Sequence, residues 1–241
     1  MPLFGAVDTL NPRPAKTPSE ASLKASPHYL EVVEKLRNVF HLKTFRKNQL
    51  AAVISTLDGR DAVVLMPTGG GKSLCYQLPA VCRGGKTSGV TVVISPLRAL
   101  MSDQVERLRA LDINVMMLAD SQDGNTMQEL RTASKKPSLV YVTPEKLYCS
   151  DVMKAILKGL HANRQLARFV IDEAHLINTW GRDFRSSAVC HLIFDDLQCA
   201  NRGFSMVHLM IFGKNTRAFR SLHSPQPRLP RLCRTLFLPS V

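Results

Sequence analysis

Holding a phosphate group takes backbone N–H groups turned inward, a cation and a hydroxyl, and one stretch of this chain supplies all three: Pro67-Thr68-Gly69-Gly70-Gly71-Lys72-Ser73. Glycine adopts the backbone angles that let successive N–H groups line an anion, and a helix starting at the lysine adds the positive end of its dipole. Thr68, Gly69, Gly70, Gly71, Lys72 and Ser73 are therefore candidate nucleotide-binding residues. Lys72 would reach the β- and γ-phosphates and Ser73 would offer its hydroxyl to Mg²⁺. Met66 stands where the strict pattern has glycine, so the stretch by itself also reads as a Gly-rich turn. A second cluster decides between the two. In Phe169-Val170-Ile171-Asp172-Glu173-Ala174-His175 an apolar run ends in adjacent carboxylates. At a strand end beside a phosphate loop, Asp172 holds Mg²⁺ through water while Glu173 polarises the water that attacks the γ-phosphate.

These groups need a scaffold that brings them to one edge. Ala62 to Leu65 is a short apolar run bounded by turn residues, which reads as a strand buried on both faces, and Lys72 to Val81 follows as a helix. Further strands are expected at Val90 to Ser95, Ile113 to Leu118, Leu139 to Thr143 and Phe169 to Asp172, with helices at Leu97 to Leu111 and Asp151 to Leu160. Two helices precede the glycine strand. One starts at Ser26-Pro27 and carries Tyr29, Val32, Leu36 and Phe40; the other has Leu50, Ile54 and Leu57 on one face. Strand and helix in alternation predict an α/β domain whose mostly parallel sheet is covered by helices on both faces.

Composition narrows the partners. The 241 residues are 45% apolar, enough for a core, and carry a net charge of +13, which favours polyanions such as nucleic acid or an anionic membrane surface. Between 197 and 241 there are seven basic side chains and no carboxylate. No apolar run approaches the ~18 residues of a membrane span, and the first residues lack a signal peptide's apolar core, so an intracellular protein is expected. The six cysteines show no paired spacing and read as free thiols.

From about Leu36 to Arg185 the chain resembles the first RecA-like domain of RecQ-type DNA helicases. Phe45-Arg46-Lys47-Asn48-Gln49 is similar to their F-R-x-x-Q motif, and Pro67 to Ser73 continuing as Leu74-Cys75-Tyr76-Gln77-Leu78-Pro79 to their extended phosphate loop. Ser95-Pro96-Leu97 with Leu100 to Val105 resembles motif Ia, Tyr141 to Glu145 motif Ib, Asp172-Glu173-Ala174-His175 the DEAH box, and Trp180 to Arg185 the aromatic-rich loop. The resemblance implies a RecA-like P-loop fold and ATP with Mg²⁺ as cofactors. It implies Phe45, Arg46 and Gln49 at the adenine, and Glu173, Lys72 and His175 in catalysis. Asp172 and Ser73 would stand at the metal, and Trp180, Arg182, Phe184 and Arg185 on single-stranded or forked DNA. A glutamine amide both donates and accepts, as pairing with an adenine edge requires. Aromatic rings beside arginines offer a base a stacking platform, although Trp180 and Phe184 also read as rings plugging the core.

The departures are as specific. Leu176, Thr179 and Arg182 stand where the family has Cys, Gln and His, and Ser186-Ser187 where it has Pro-Asp. The Ser/Thr-Ala-Thr motif and a second RecA-like domain with its arginine finger are not found, so a second domain or a full-length paralogue would be needed to complete the cleft. The expected organisation is a tail over 1–27, the ATP-binding domain over 28–185, and a basic tail over 186–241. In that tail Met206 to Phe212 would be the one strand, with Ser221 to Val241 loosely attached. The leading expectation is the N-terminal half of an ATP-dependent 3′–5′ DNA helicase, incomplete for unwinding and nuclear in a eukaryote. The alternatives are a non-catalytic ATP- and DNA-binding module or a truncated non-functional paralogue, and another P-loop enzyme such as a nucleotide kinase.

Overall fold

The structure is a computed structural model that describes residues 18–60, 62–64, 66, 69–86, 88–119, 123–172, 205–208 and 236–238. Its strands are β1 (Ala62–Val64), β2 (Val90–Ile94), β3 (Val115–Leu118), β4 (Leu139–Val142), β5 (Leu166–Ile171), β6 (Ser205–His208) and β7 (Leu236–Leu238). They form one sheet in the order β3-β4-β2-β5-β6-β1-β7, and every pairing is parallel. Parallel neighbours cannot be joined by hairpins, so the helices must cross over the sheet and cover it. Every residue of β2, β4 and β5 is buried, which is why these segments are mostly apolar, Thr91 and Arg168 excepted.

The pleat sends alternate residues to opposite faces. Val92, Ile94, Val140, Phe169 and Ile171 pack with Leu130 of α6 (Gly124–Thr132), Leu147 of α7 (Pro144–Cys149) and the Met153, Ile156, Leu157 and Leu160 stripe of α8 (Asp151–Ala162). Val93, Tyr141 and Val170 face the other way, into a larger cluster with α2 (Tyr29–Asn38), α3 (Gln49–Leu57), α4 (Leu74–Val81) and α5 (Arg98–Ala110). Thr143 caps α7 by accepting from the Lys146 N–H (3.2 Å), with Pro144 in the first turn, where its missing N–H costs nothing.

Ordered chain begins earlier than the sequence predicts. A helix, α1 (Glu20–Lys24), precedes the expected start at residue 28: Ser19 Oγ accepts from the Ser22 N–H (3.2 Å) and Leu23 is buried. Five residues with one apolar anchor have no period to detect. The helix expected to start at Ser26-Pro27 starts at Tyr29, with Ser26 Oγ instead accepting from the His28 N–H (3.3 Å).

At the other end, β6 lies between β5 and β1, overlapping the expected strand Met206 to Phe212 over three residues and starting one residue earlier; residues 209–212 lie outside the described residues. The expectation of a single strand beyond Arg185 is corrected by β7, which pairs Ala62 with Leu236, Val63 with Phe237 and Val64 with Leu238. A bare β1 edge presents unpaired N–H and C=O groups, and a Leu-Phe-Leu segment of high strand propensity satisfies them.

Candidate nucleotide site

The glycine stretch lies just past β1 and opens directly into α4, as a strand–loop–helix phosphate site requires. Gly69 and Gly71 adopt positive φ, +77° and +82°, so a side chain at either would be strained. At Gly71 space also forbids one, because a Cβ would sit 2.5 Å from Gln49 Nε2. Ser73 is the N-cap of α4, and its carbonyl accepts from the Gln77 N–H (2.9 Å), which puts the hydroxyl at the positive end of the helix.

Two side chains hold this loop from α3 and the turn before it. Gln49 is buried, and its Nε2 donates to the Gly71 carbonyl (2.9 Å) while its Oε1 accepts from the Arg46 N–H (2.6 Å). The Arg46 guanidinium donates to the Gly69 carbonyl. The residue between them, Asn48, takes the left-handed conformation (φ +67°), which asparagine tolerates better than most. The structure thus turns Arg46 and Gln49, two of the three residues expected at the adenine, onto the phosphate loop. The Gln49 amide keeps one further N–H and one lone pair for another partner. Phe45 is partly buried and packs against the core beneath the same turn.

Asp172 follows β5 directly, and its N–H donates to the Ile94 carbonyl (2.9 Å), fixing the strand end to β2. One buried side chain relates it to the loop. Tyr76 is fully buried on α4, one turn after Ser73, and its phenol lies within the field of the Asp172 carboxylate. Burial first, then the charges of Tyr141 and Asp172, hold that phenol protonated well above the usual tyrosine range. Ser73 thus opens α4 and Asp172 ends β5, at the edge where the phosphate loop leaves the sheet. A hydroxyl and a carboxylate are hard oxygen donors of the kind Mg²⁺ takes, usually with several waters retained, so these residues fit that ion. Sequence reasoning missed Tyr76. The signal was its spacing, three residues after Ser73, which puts the two one above the other at the start of α4.

Of the other predicted site residues, Gly70, Lys72 and Ser73 lie together in the loop. Thr68, Glu173, His175, Trp180, Arg182, Phe184 and Arg185 lie outside the described residues. No helix among the described residues is long and apolar enough to cross a membrane, and no group of three or more metal-ligating His, Cys, Asp or Glu occurs among them.

Residues 46–206 match the DEAD/DEAH box helicase family, from the arginine that holds Gly69 to the second residue of β6. The chain belongs to that family. Within it the relatives are RecQ-like. The ATP-dependent DNA helicase hus2/rqh1 of Schizosaccharomyces pombe is 45% identical over 188 residues, covering 76% of this chain and 14% of the relative. The ATP-dependent helicase SGS1 of Saccharomyces cerevisiae is 50% identical over 159 residues, 64% of this chain and 11% of the relative. The chain thus spans less than a sixth of the length of these relatives. Among solved structures, the DUF1998 helicase MrfA superposes with a TM-score of 0.57 at 20% identity, over 77% of this chain and 29% of that one. Its complex with DNA and AMPPNP gives 0.55 at 21% identity, over 85% of this chain and 27% of that one. At such identity these neighbours establish the fold, a RecA-like helicase domain with a parallel sheet between helical layers.

Proposed function

We propose that this chain supplies the ATP-binding wall of a RecQ-like 3′–5′ DNA helicase, with ATP·Mg²⁺ on the phosphate loop and single-stranded or forked DNA on the neighbouring surface. The observation that carries the proposal is a glycine loop that leaves the carboxyl end of β1 for α4, its glycines held from behind by Gln49 and Arg46, in the same parallel sheet whose β5 runs out into Asp172. In this reading Lys72 neutralises the β- and γ-phosphates, and Ser73 with Asp172 holds the ion that screens the developing charge. Glu173 orients the attacking water, with His175 beside it in the same box. Trp180 and Phe184 stack on bases while Arg182 and Arg185 meet phosphate. Gln49 serves the adenine with its remaining N–H and lone pair, beside Phe45 and Arg46. A second RecA-like domain, in the same polypeptide or another, closes the cleft and brings an arginine worth roughly 10³–10⁵-fold in rate. A chromosomal substrate puts such a protein in the nucleus of a eukaryote.

The test is nucleotide titration of the 241-residue chain and of Lys72→Ala. The lysine is a point charge for phosphate at the loop and no part of the core, so the variant is expected to keep its unfolding midpoint. Its ATP affinity should fall by at least about tenfold, the loss expected when a charged donor is removed from a phosphate. Wild-type affinity in the variant would overturn the phosphate-loop assignment. A single-turnover ATPase assay with and without single-stranded DNA then separates a slow hydrolase from a module that only binds.

A further inference from the structure

In a parallel sheet every strand is entered from the same edge, the one opposite the nucleotide loop. The segments that lead into β1 to β5 are residues 58–60, 82–89, 109–114, 131–138 and 158–165, and together they hold nine Lys and Arg against two Asp. At the carboxyl ends of the same strands, residues 65–73, 95–98, 119–124 and 143–146 with Asp172 hold three cations and four carboxylates. Between the two ends of the sheet, positive charge therefore gathers at the one that the proposed ATP chemistry does not use.

Part of that charge is ordinary helix chemistry. Helices that cross back over the sheet point their negative ends at this edge, and Arg109, Arg131 and His161 stand in the last turns of α5, α6 and α8. Lys136 Nζ donates to the Leu130 and Arg131 carbonyls at the end of α6 (2.9 Å each). Four exposed cations lie past the helix ends, in the turns themselves: Arg60 before β1, Lys86 before β2, Lys135 before β4 and Arg164 before β5. Arg60 is held by Asp58 (2.6 Å). Backbone hydrogen bonds set these turns side by side. The Val90 N–H donates to the Gln165 carbonyl (2.7 Å), the Thr91 N–H to the Ser138 carbonyl (3.0 Å), and the Lys86 N–H to the Leu57 carbonyl, three residues before Arg60 (2.8 Å). In the sheet order β4-β2-β5-β6-β1 the row spans about 19 Å, at roughly 4.8 Å per strand.

Arg164 is costly where it stands. It follows Asn163, the C-cap of α8, at φ +56°, a left-handed position that glycine usually fills. The other non-glycine residues at positive φ among the described residues are His41, Asn48 and Asp112, types that accept it more readily. Glycine would make the same turn without strain, so the turn does not account for the arginine. None of the five segments contains a Phe, Tyr or Trp, while Ser88, Asn114, Ser134 and Asn163 stand exposed among the cations. Cations and short polar groups with no stacking platform suit phosphates and not unstacked bases.

We propose that this edge is a second nucleic-acid surface, which takes the backbone of duplex DNA without regard to sequence through Lys86, Lys135 and Arg164, with Arg60 at the end of the row. Over about 19 Å a duplex presents roughly eleven phosphate charges, one per ~1.7 Å of axis. The assignment is independent of the phosphate-loop reading and of the DNA surface proposed beside it. Its test is anisotropy titration of a labelled duplex, and of one of its strands alone, with the 241-residue chain over a series of salt concentrations. The rim variant carries Lys86→Gln, Lys135→Gln and Arg164→Gly; a control carries Lys24→Gln, Arg37→Gln and Lys154→Gln, which remove the same charge from α1, α2 and the first turn of α8. In the rim variant duplex affinity should fall at least about tenfold, and the slope of log affinity against log salt should become shallower by about two to three, one step per lost phosphate contact. Its unfolding midpoint should not drop, because all three changes lie in exposed turns and glycine relieves position 164. The single strand should bind the rim variant as it binds wild type, and the control should keep wild-type duplex affinity. Undiminished duplex binding in the rim variant, or an equal loss in the control, overturns the proposal. Binding of phosphatidylserine vesicles by a wild-type chain that ignores duplex makes the edge a membrane surface and overturns it as well.

Discussion

The two faces of the sheet are built to different rules. Among the described side chains, the strands under α6, α7 and α8 present only apolar groups, and the helices answer with leucine, isoleucine and methionine. On the face under α4 and α5 the same strands present Thr91, Tyr141 and Arg168, all buried, opposite helices that carry Tyr76 and Gln77. Arg168 shows the cost most plainly: burial draws its guanidinium down to about 10, with Cys82 as the opposing influence. One face can thus be filled without a single polar group by this very sequence, so the polar groups on the other are there for something besides packing. They lie on the side that carries α4, which opens from the glycine loop, and α5.

That contrast can be broken most forcefully on the dry face. Phe169 is fully buried there, and Phe169→Ala should cost about 3–5 kcal/mol in urea unfolding, the transfer and cavity terms together. Whatever fraction remains folded should bind nucleotide with unchanged affinity. A loss under about 1 kcal/mol would mean that stability does not reside in this half.

On the wet face the expected pattern reverses, with function suffering more than stability. Gly71→Ala forces a side chain onto φ +82° and a Cβ against Gln49 Nε2, so about 1–3 kcal/mol of strain should fall on the loop. Nucleotide titration should show affinity reduced by roughly tenfold or more, while the unfolding midpoint moves little because the loop can yield. Unchanged affinity would show that the Gln49 tie is dispensable.

The smallest effect separates a necessary polar group from an incidental one. Thr91 Oγ1 is buried with no hydrogen-bond partner among the described residues. Thr91→Val removes that unmet demand at nearly constant shape and should stabilise by up to about 1 kcal/mol in thermal unfolding, with nucleotide binding intact. A loss of the same size would place Thr91 among the polar groups the face depends on.

Much of the scaffold was legible for one physical reason. Strands buried on both faces are mostly apolar, so β2, β4 and the apolar end of β5 announced themselves in spite of Thr91 and Arg168, and the long α5 and α8 kept a helical period. The failures were local or conditional. Helix α1 hangs on Leu23, and β7 exists because β1 had an edge to fill, a fact no window of sequence contains. The site was legible as an inventory: glycines, lysine, serine and carboxylate are phosphate chemistry in any order that a strand and a helix can present. How they are held was not. Gln49 was readable as an amide with something to bond, but only the fold shows that its nearest customers are the Gly71 carbonyl and the Arg46 N–H. Tyr76 and Tyr141 looked like ordinary core residues because burial and hydrogen bonding between them are properties of the assembled face.

The position of β6 has a consequence for how the molecule is made. Among the described strands, β1 pairs only with β6 and β7, and β6 alone bridges it to β5. The strand that launches the phosphate loop therefore leaves the ribosome long before residue 208, the end of the segment that joins it to the DEAH strand. At roughly 5–20 residues per second that wait is on the order of ten seconds. During it β2 to β5 can assemble among themselves, because the pairings that join β3, β4, β2 and β5 do not involve β6. The nucleotide edge must come last, closing over a pairing between residue 62 and residue 207 of the kind that slows folding most.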